Sequence, residues 1–284
     1  MADAPIGLFD SGEGGLTVAR AVADKLPGES LLYACDGAHF PYGPRPLAEV
    51  RRLFLRFWDY YRVEGCKLVV IACNTATAAA LTEVQGAGGP AVLGVVEPGA
   101  RAAAAASRSG RIGVLATQAT VTSGVYLSAI AHVRPEAQVV QAAAPVLVTM
   151  AEAGDIASDA AATAARQAVA PLLAAGVDTV VLGCTHFPHM HAHLARAVGP
   201  DIALVDPGEA TAHAVRDLLS SAGRLGGDGS RRFVTTGDPE RFTTVAAQLW
   251  PGGVTSAARI DLPSRPLPAP PLAERAGMGA AADE

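Results

Sequence analysis

Residues 68–80, Leu-Val-Val-Ile-Ala-Cys-Asn-Thr-Ala-Thr-Ala-Ala-Ala, constrain the fold more than any other stretch of the chain. Residues 68–72 are a short apolar run rich in branched side chains, the pattern of a strand covered on both faces. From Thr75 the composition turns to alanine and favours helix. Cys73 therefore falls at the carboxyl end of a buried strand, where open α/β sheets present their chemistry. It also falls beside a helix N-terminus, whose free N–H groups and dipole favour a thiolate over a thiol. The same grammar returns at residues 179–188, Thr-Val-Val-Leu-Gly-Cys-Thr-His-Phe-Pro, and places Cys184 at the end of another strand. Two such sites facing each other are expected.

Around this stretch the chain alternates strands and helices. A first buried strand at 6–9 leads into Asp10-Ser-Gly-Glu-Gly-Gly15 and a helix over 16–26. The glycines let the backbone turn tightly, and the helix start attracts anions. Glycines at 12, 14 and 15 do not give the dinucleotide spacing Gly-x-Gly-x-x-Gly. Asp10 is a carboxylate at the carboxyl end of strand one, though a helix-capping role would also explain it. A second strand is expected over 30–34, then a Pro- and Gly-rich loop, His39-Phe-Pro-Tyr-Gly-Pro44. An amphipathic helix over 47–63 follows, whose stripe Leu53, Phe54, Phe57, Trp58 and Tyr61 reads as core. A fourth strand over 91–96 ends in Glu97-Pro-Gly-Ala before an Ala-rich helix.

At Arg111 the pattern restarts. Ile112-Gly-Val-Leu-Ala-Thr echoes Ile6-Gly-Leu-Phe-Asp-Ser and leads to the hydroxyls Thr117, Thr120 and Ser123. Further units run to Cys184 and a strand over 202–205, after which Asp206-Pro-Gly-Glu starts a helix to about residue 220. One more strand (232–235) and a helix after Asp238-Pro-Glu close the folded part. Residues 262–284 are rich in Pro, Ala and Gly and are expected to form a disordered tail. The fold class is thus α/β, two similar doubly wound lobes with the active site in the cleft between them.

Composition excludes several function classes. A chain of 284 residues, half of them apolar, can bury a large core and suits two domains. A net charge of −5 with scattered basic residues argues against nucleic acid. The opening Met-Ala-Asp-Ala-Pro has no basic n-region or long apolar run, so no signal peptide is expected. No unbroken apolar run of about 18 residues suits a membrane. The four cysteines, Cys35, Cys66, Cys73 and Cys184, form no Cys-x-x-Cys pair and read as reduced and cytoplasmic. Cys35 and Cys66 read as small buried hydrophobes. The two lysines, Lys25 and Lys67, are badly placed for a pyridoxal Schiff base. His186, His189, His191 and His193 invite a metal reading, but steps of three and two residues turn about 300° and 200° around a helix and scatter them. A single functional His186 is expected, with His189 to His193 on a solvated helix. Neither metal nor cofactor is expected.

Two thiols at equivalent positions in facing halves suit one reaction above others: removing a proton from one face of a carbon and returning one to the other. This requires a base and an acid of matched strength, and the ordinary cysteine pKa of about 8.5 allows one thiolate and one thiol to coexist. Asp10 near Cys73 and His186 near Cys184 would steer each proton. Neighbouring N–H and hydroxyl donors would stabilise the developing charge.

The motifs Asp10-Ser-Gly…Gly-Gly-Leu-Thr, Pro41-Tyr-Gly-Pro, Ala72-Cys-Asn-Thr-Ala-Thr-Ala, Glu97-Pro-Gly-Ala and Leu182-Gly-Cys-Thr-His-Phe-Pro closely resemble those of the cofactor-independent glutamate racemases, within the aspartate/glutamate racemase group. The resemblance spans residues 6–249. It implies interconversion of L- and D-glutamate, supplying D-glutamate for peptidoglycan, without a cofactor. Carried over by position, it implies Cys73 and Cys184 as catalytic thiols with Asp10 and His186 as assistants. Substrate contacts are implied at Asp10, Ser11, Tyr42, Gly43, Asn74, Thr75, Thr185 and His186, and Glu152 resembles an acidic residue near the second thiol. One lobe of 1–97 plus 207–261, an inserted lobe of 98–206 and a cytoplasmic homodimer are expected.

Four positions depart from the pattern. Glu13 replaces a small apolar residue, Cys35-Asp36-Gly37 replaces Gly-Asp-Thr, and Ala144 stands where a further Cys is common. Glu13 is expected to face solvent. The alternatives to glutamate are another amino acid, such as aspartate, or a catalytically weak relative that acts by binding a partner.

Overall fold

The computed structural model describes residues 2–263. Its strands are β1 (Ile6–Asp10), β2 (Leu31–Cys35), β3 (Leu68–Ile71), β4 (Ala91–Gly94), β5 (Arg111–Ala116), β6 (Gln138–Ala143), β7 (Thr179–Gly183), β8 (Ala203–Val205), β9 (Arg231–Thr235) and β10 (Ala258–Arg259). They form two sheets, ordered β10-β9-β2-β1-β3-β4 and β6-β5-β7-β8, and every paired strand is parallel. Set β9 and β10 aside, and the second sheet repeats the order of the first with each strand four places later in the chain. The echo between residues 6 and 112 is therefore topological: β5 occupies the place of β1, and β7 that of β3.

Helices cover both faces of each sheet, as parallel strands require. Leu68 and Val70 of β3 enter one core with Val22, Val215 and Phe242. Val69 and Ile71 enter the opposite one with Phe9, Phe54, Phe57 and Trp58. In β7, Val180 and Leu182 pack with Leu147, Leu172 and Phe187, whereas Val181 packs with Ile112 and Tyr126 on the other face. The aromatic stripe of the helix Leu47–Val63 is core, as expected. Cys35 and Cys66 are buried and free.

Several boundaries differ from expectation. The second strand begins at Leu31 and includes Cys35. The fourth ends at Gly94, so Glu97, Pro98 and Gly99 lie inside the helix Val96–Ala106 instead of ahead of it. Pro98 fits there because N–H groups of a first helical turn have no intrahelical partner. The segment after His186 is not one solvated helix. Phe187–Met190 is a 3-10 turn before the helix His191–Val198, and His189 is half-buried. The expected tail lies, from residue 264 on, outside the described residues. Among the described residues, no helix is long and apolar enough to cross a membrane.

Candidate active site

Cys73 is the N-cap of the helix Asn74–Gly86, and its Sγ accepts the Ala76 N–H at 3.5 Å. Cys184 follows β7 directly. Each cysteine thus leaves the carboxyl end of the matching strand of its own sheet, and the two line a single narrow cavity. Ser11, Tyr42, Gly43, Asn74, Thr75, Thr117, Thr185 and His186 share its wall, with Phe40 and Val148 supplying apolar surface. Seven of the eight positions expected to touch substrate therefore face one space, and Thr117 joins them.

Asp10 lies behind this wall. It is wholly buried, and its Oδ2 accepts the Gly15 N–H at 2.9 Å and the Gly12 N–H at 3.3 Å. The Thr185 hydroxyl reaches both carboxylate oxygens at 3.4 and 3.5 Å. Gly15 must be glycine, since a Cβ there would lie 2.5 Å from the Asp10 Cβ. Thr120 is also buried. It completes a hydroxyl cluster with Thr75 and Thr117 (3.0–3.3 Å) that joins the helices beginning at Asn74 and Gln118 across the two sheets. On the other side, His186 directs Nδ1 to the Cys184 Sγ at 3.7 Å and Nε2 to Glu152 Oε1. Among the described residues, no cluster of three or more His, Cys, Asp or Glu side chains is arranged to hold a metal ion.

The family model for Asp/Glu/hydantoin racemases matches residues 16–215, well over half of the chain. The chain belongs to that family. It is 59% identical over 262 residues to the glutamate racemase of Symbiobacterium thermophilum, covering 91% of this chain and 95% of the relative. The crystal structure of glutamate racemase isoform RacE1 from Bacillus anthracis superposes with a TM-score of 0.89 at 35% identity, covering 93% of this chain and 100% of that one. The glutamate racemase of Francisella tularensis, crystallised with D-glutamate, gives 0.87 at 27% identity with the same coverage.

In this racemase-family chain the electrostatics of the two sides differ. Burial, reinforced by the Asp10 charge, pushes the Cys73 thiol up to about 12, against the Ala76 N–H and the Ser11 hydroxyl. The helix end expected to favour a thiolate is present, but removal from water outweighs it. Burial also raises the Asp10 carboxyl above its usual range, opposed by His186 and the glycine N–H groups. At His186 burial favours the neutral ring, yet hydrogen bonds to Cys184 and Glu152 overcome it and raise the imidazole well above its ordinary value.

Glu13 does not face solvent. Its side chain is buried, and burial together with Glu152 raises its carboxyl to about 7. The chain has enough charge nearby to tolerate it, because Arg241 of the helix Pro239–Leu249 reaches Glu152 Oε2 at 3.5 Å and pulls Glu13 the other way.

Three residues of the site were not singled out from the sequence. Asp36, wholly buried, accepts from the Tyr42 hydroxyl at 2.7 Å and the Thr236 hydroxyl at 2.6 Å, and pairs with His39 at 2.9 Å. It thereby holds the loop that carries Tyr42 and Gly43. Its signal was available: it follows β2 as Ser11 follows β1 in the paired register. Tyr126 donates to Asn74 Oδ1 at 2.7 Å, and Arg241 meets Glu152 from far along the chain. Neither contact leaves a local mark in the sequence.

Proposed function

We propose that the protein is a glutamate racemase that interconverts L- and D-glutamate by proton transfer at Cα between two thiols. The observation that carries this reading is the pair Cys73 and Cys184, delivered by equivalent strands of two sheets into one cavity. The similarity to glutamate racemases supports glutamate as the substrate. One sulfur takes the Cα proton as a thiolate while the other, a thiol, delivers its proton to the opposite face. The reverse direction exchanges the roles. Burial makes Cys73 hold its proton firmly. The substrate's α-ammonium, placed beside Cys73, supplies the positive charge that releases it. Backbone N–H and hydroxyl groups of Asn74, Thr75, Thr117 and Thr185 receive the carboxylates and the charge that develops on deprotonation.

The product D-glutamate would serve peptidoglycan synthesis in the cytoplasm. The two sheets suit a division into one lobe of 1–97 plus 207–261 and another of 98–206, and the active unit is taken as a homodimer, which sedimentation measures directly.

Cys73→Ala and Cys184→Ala should each lower net racemisation by about 10³-fold or more while keeping native melting curves. Wild-type protein in deuterated water should place deuterium at Cα of either enantiomer. Interconversion that survives in both single variants would end the two-thiol mechanism.

A further inference from the structure

Glu13 is the buried carboxyl that the two-thiol scheme leaves without a task. It is 6% exposed and sits in the turn after β1. Its neighbours in that turn abut the second half of the site. A Cβ on Gly12 would lie 3.6 Å from Glu152 Oε1, and one on Gly14 would lie 3.0 Å from His186 Cε1. Glu152 gives Oε1 to the imidazole, while its Oε2 is buried with no hydrogen bond and only the Arg241 guanidinium at 3.5 Å. The charged and titratable groups facing Glu13 are Glu152 from the helix Pro145–Glu152, Arg241 from the helix Pro239–Leu249, His186 beyond β7, and Tyr33 and Cys35 from β2. His189, on the adjacent turn, senses the same His186–Glu152 pair. The Glu152 charge raises the Glu13 carboxyl, and two buried carboxyl groups that sense each other resist ionising together.

We propose that Glu13 is a positioning residue for the Cys184 half of the site: it completes a buried cluster with Glu152 and Arg241 behind His186, and its ionisation fixes how firmly the imidazole holds a proton next to the Cys184 sulfur. The inference rests on Cys184 being a working thiol. Protonated, Glu13 is neutral and Glu152 is the carboxyl group that meets the ring directly, at Nε2. When Glu13 releases its proton to solvent, a second negative charge joins that of Glu152, which meets the ring at Nε2. The sulfur lies on the Nδ1 side, across the ring. The added charge therefore favours the imidazolium more than it opposes the thiolate, and the thiolate–imidazolium pair gains over thiol and neutral ring. Ionisation of Glu13 belongs near pH 7, held up by burial and Glu152 and drawn down by Arg241.

The test follows thiolate absorbance against pH in Cys73→Ala protein, which needs no turnover and so remains decisive even if glutamate is not the substrate. Cys35 and Cys66 stay silent, because burial pushes the first well above its usual range and the second up to about 12. Adding Glu13→Gln should cut the Cys184 thiolate fraction several-fold above pH about 7 and leave it unchanged below. Glu13→Val, with the small apolar side chain of the resembling family, should give the same curve. Arg241→Gln should move the point at which Glu13 begins to act to higher pH. Curves that superimpose with those of the Glu13 parent, or a difference that is uniform across the range, would overturn the proposal.

Discussion

Glu13 keeps its proton to about pH 7 in the folded chain, whereas its ordinary value is 4.5. The folded state therefore binds more protons than the unfolded state between those limits, and linkage makes stability fall as pH rises through that window. At about 1.4 kcal/mol per unit the loss has a ceiling of roughly 3 kcal/mol. Glu13→Gln should abolish this part of the pH dependence. Its melting temperature should gain on the parent as the pH climbs from 4.5 toward 7, and a constant offset would contradict the assignment. The site residues legible in the sequence, Cys73, Cys184, Asp10, Ser11 and His186, all stand at or just beyond strand ends, where one local pattern fixes both the fold and the position. The orientation of Glu13 was not legible, because its surroundings come from Glu152 and Arg241 on distant helices.

Among the elements, β1 is tightly constrained. It pairs with both β2 and β3 and is buried along its whole length. Gly7 lets the Tyr61 ring lie against the strand, where a Cβ would come within 2.6 Å of its Cδ1, and the Tyr61 hydroxyl donates to the Leu8 carbonyl at 2.6 Å. Gly7→Ala should cost about 1–3 kcal/mol in chemical denaturation through overpacking; a neutral result would mean that the Tyr61 ring moves freely. Strand interiors such as residues 68–71 were readable because an apolar run has no other outlet in a parallel sheet. Ends were less so. Pro98 resembles a helix breaker, yet an N-terminal helical turn accepts it, and the 3-10 turn Phe187–Met190 leaves no periodic signature.

At the scale of the whole molecule, a buried ion pair closes the amino-terminal end of the first sheet, remote from the site. Lys67 at the amino end of β3 meets Glu29 at 2.5 Å and donates to the carbonyls of Ala2, Arg224 and Gly226, while Glu29 accepts the Gly226 N–H at 2.8 Å. This knot ties the start of the chain to the segment that returns from the second sheet. Lys67→Ala should destabilise by about 3–5 kcal/mol in chemical denaturation, since Glu29 would remain buried without its partner, and a loss below 1 kcal/mol would show that water reaches the pair. The repeat of strand order was visible as an echo between residues 6 and 112, but β9 and β10, which widen only the first sheet, broke its symmetry beyond what a sequence echo conveys.

That repeated order has a thermodynamic corollary for a racemase. Mirror-image amino acids have equal free energy in water, so kcat/KM must be identical in the two directions at every pH. The scaffold hands one sulfur to each side from matching strands, yet surrounds them unequally, with Asp10 behind one and imidazole and acids behind the other. Such lopsidedness can divide kcat and KM differently for the two enantiomers, but a change made in either half slows the forward and backward journeys by one common factor.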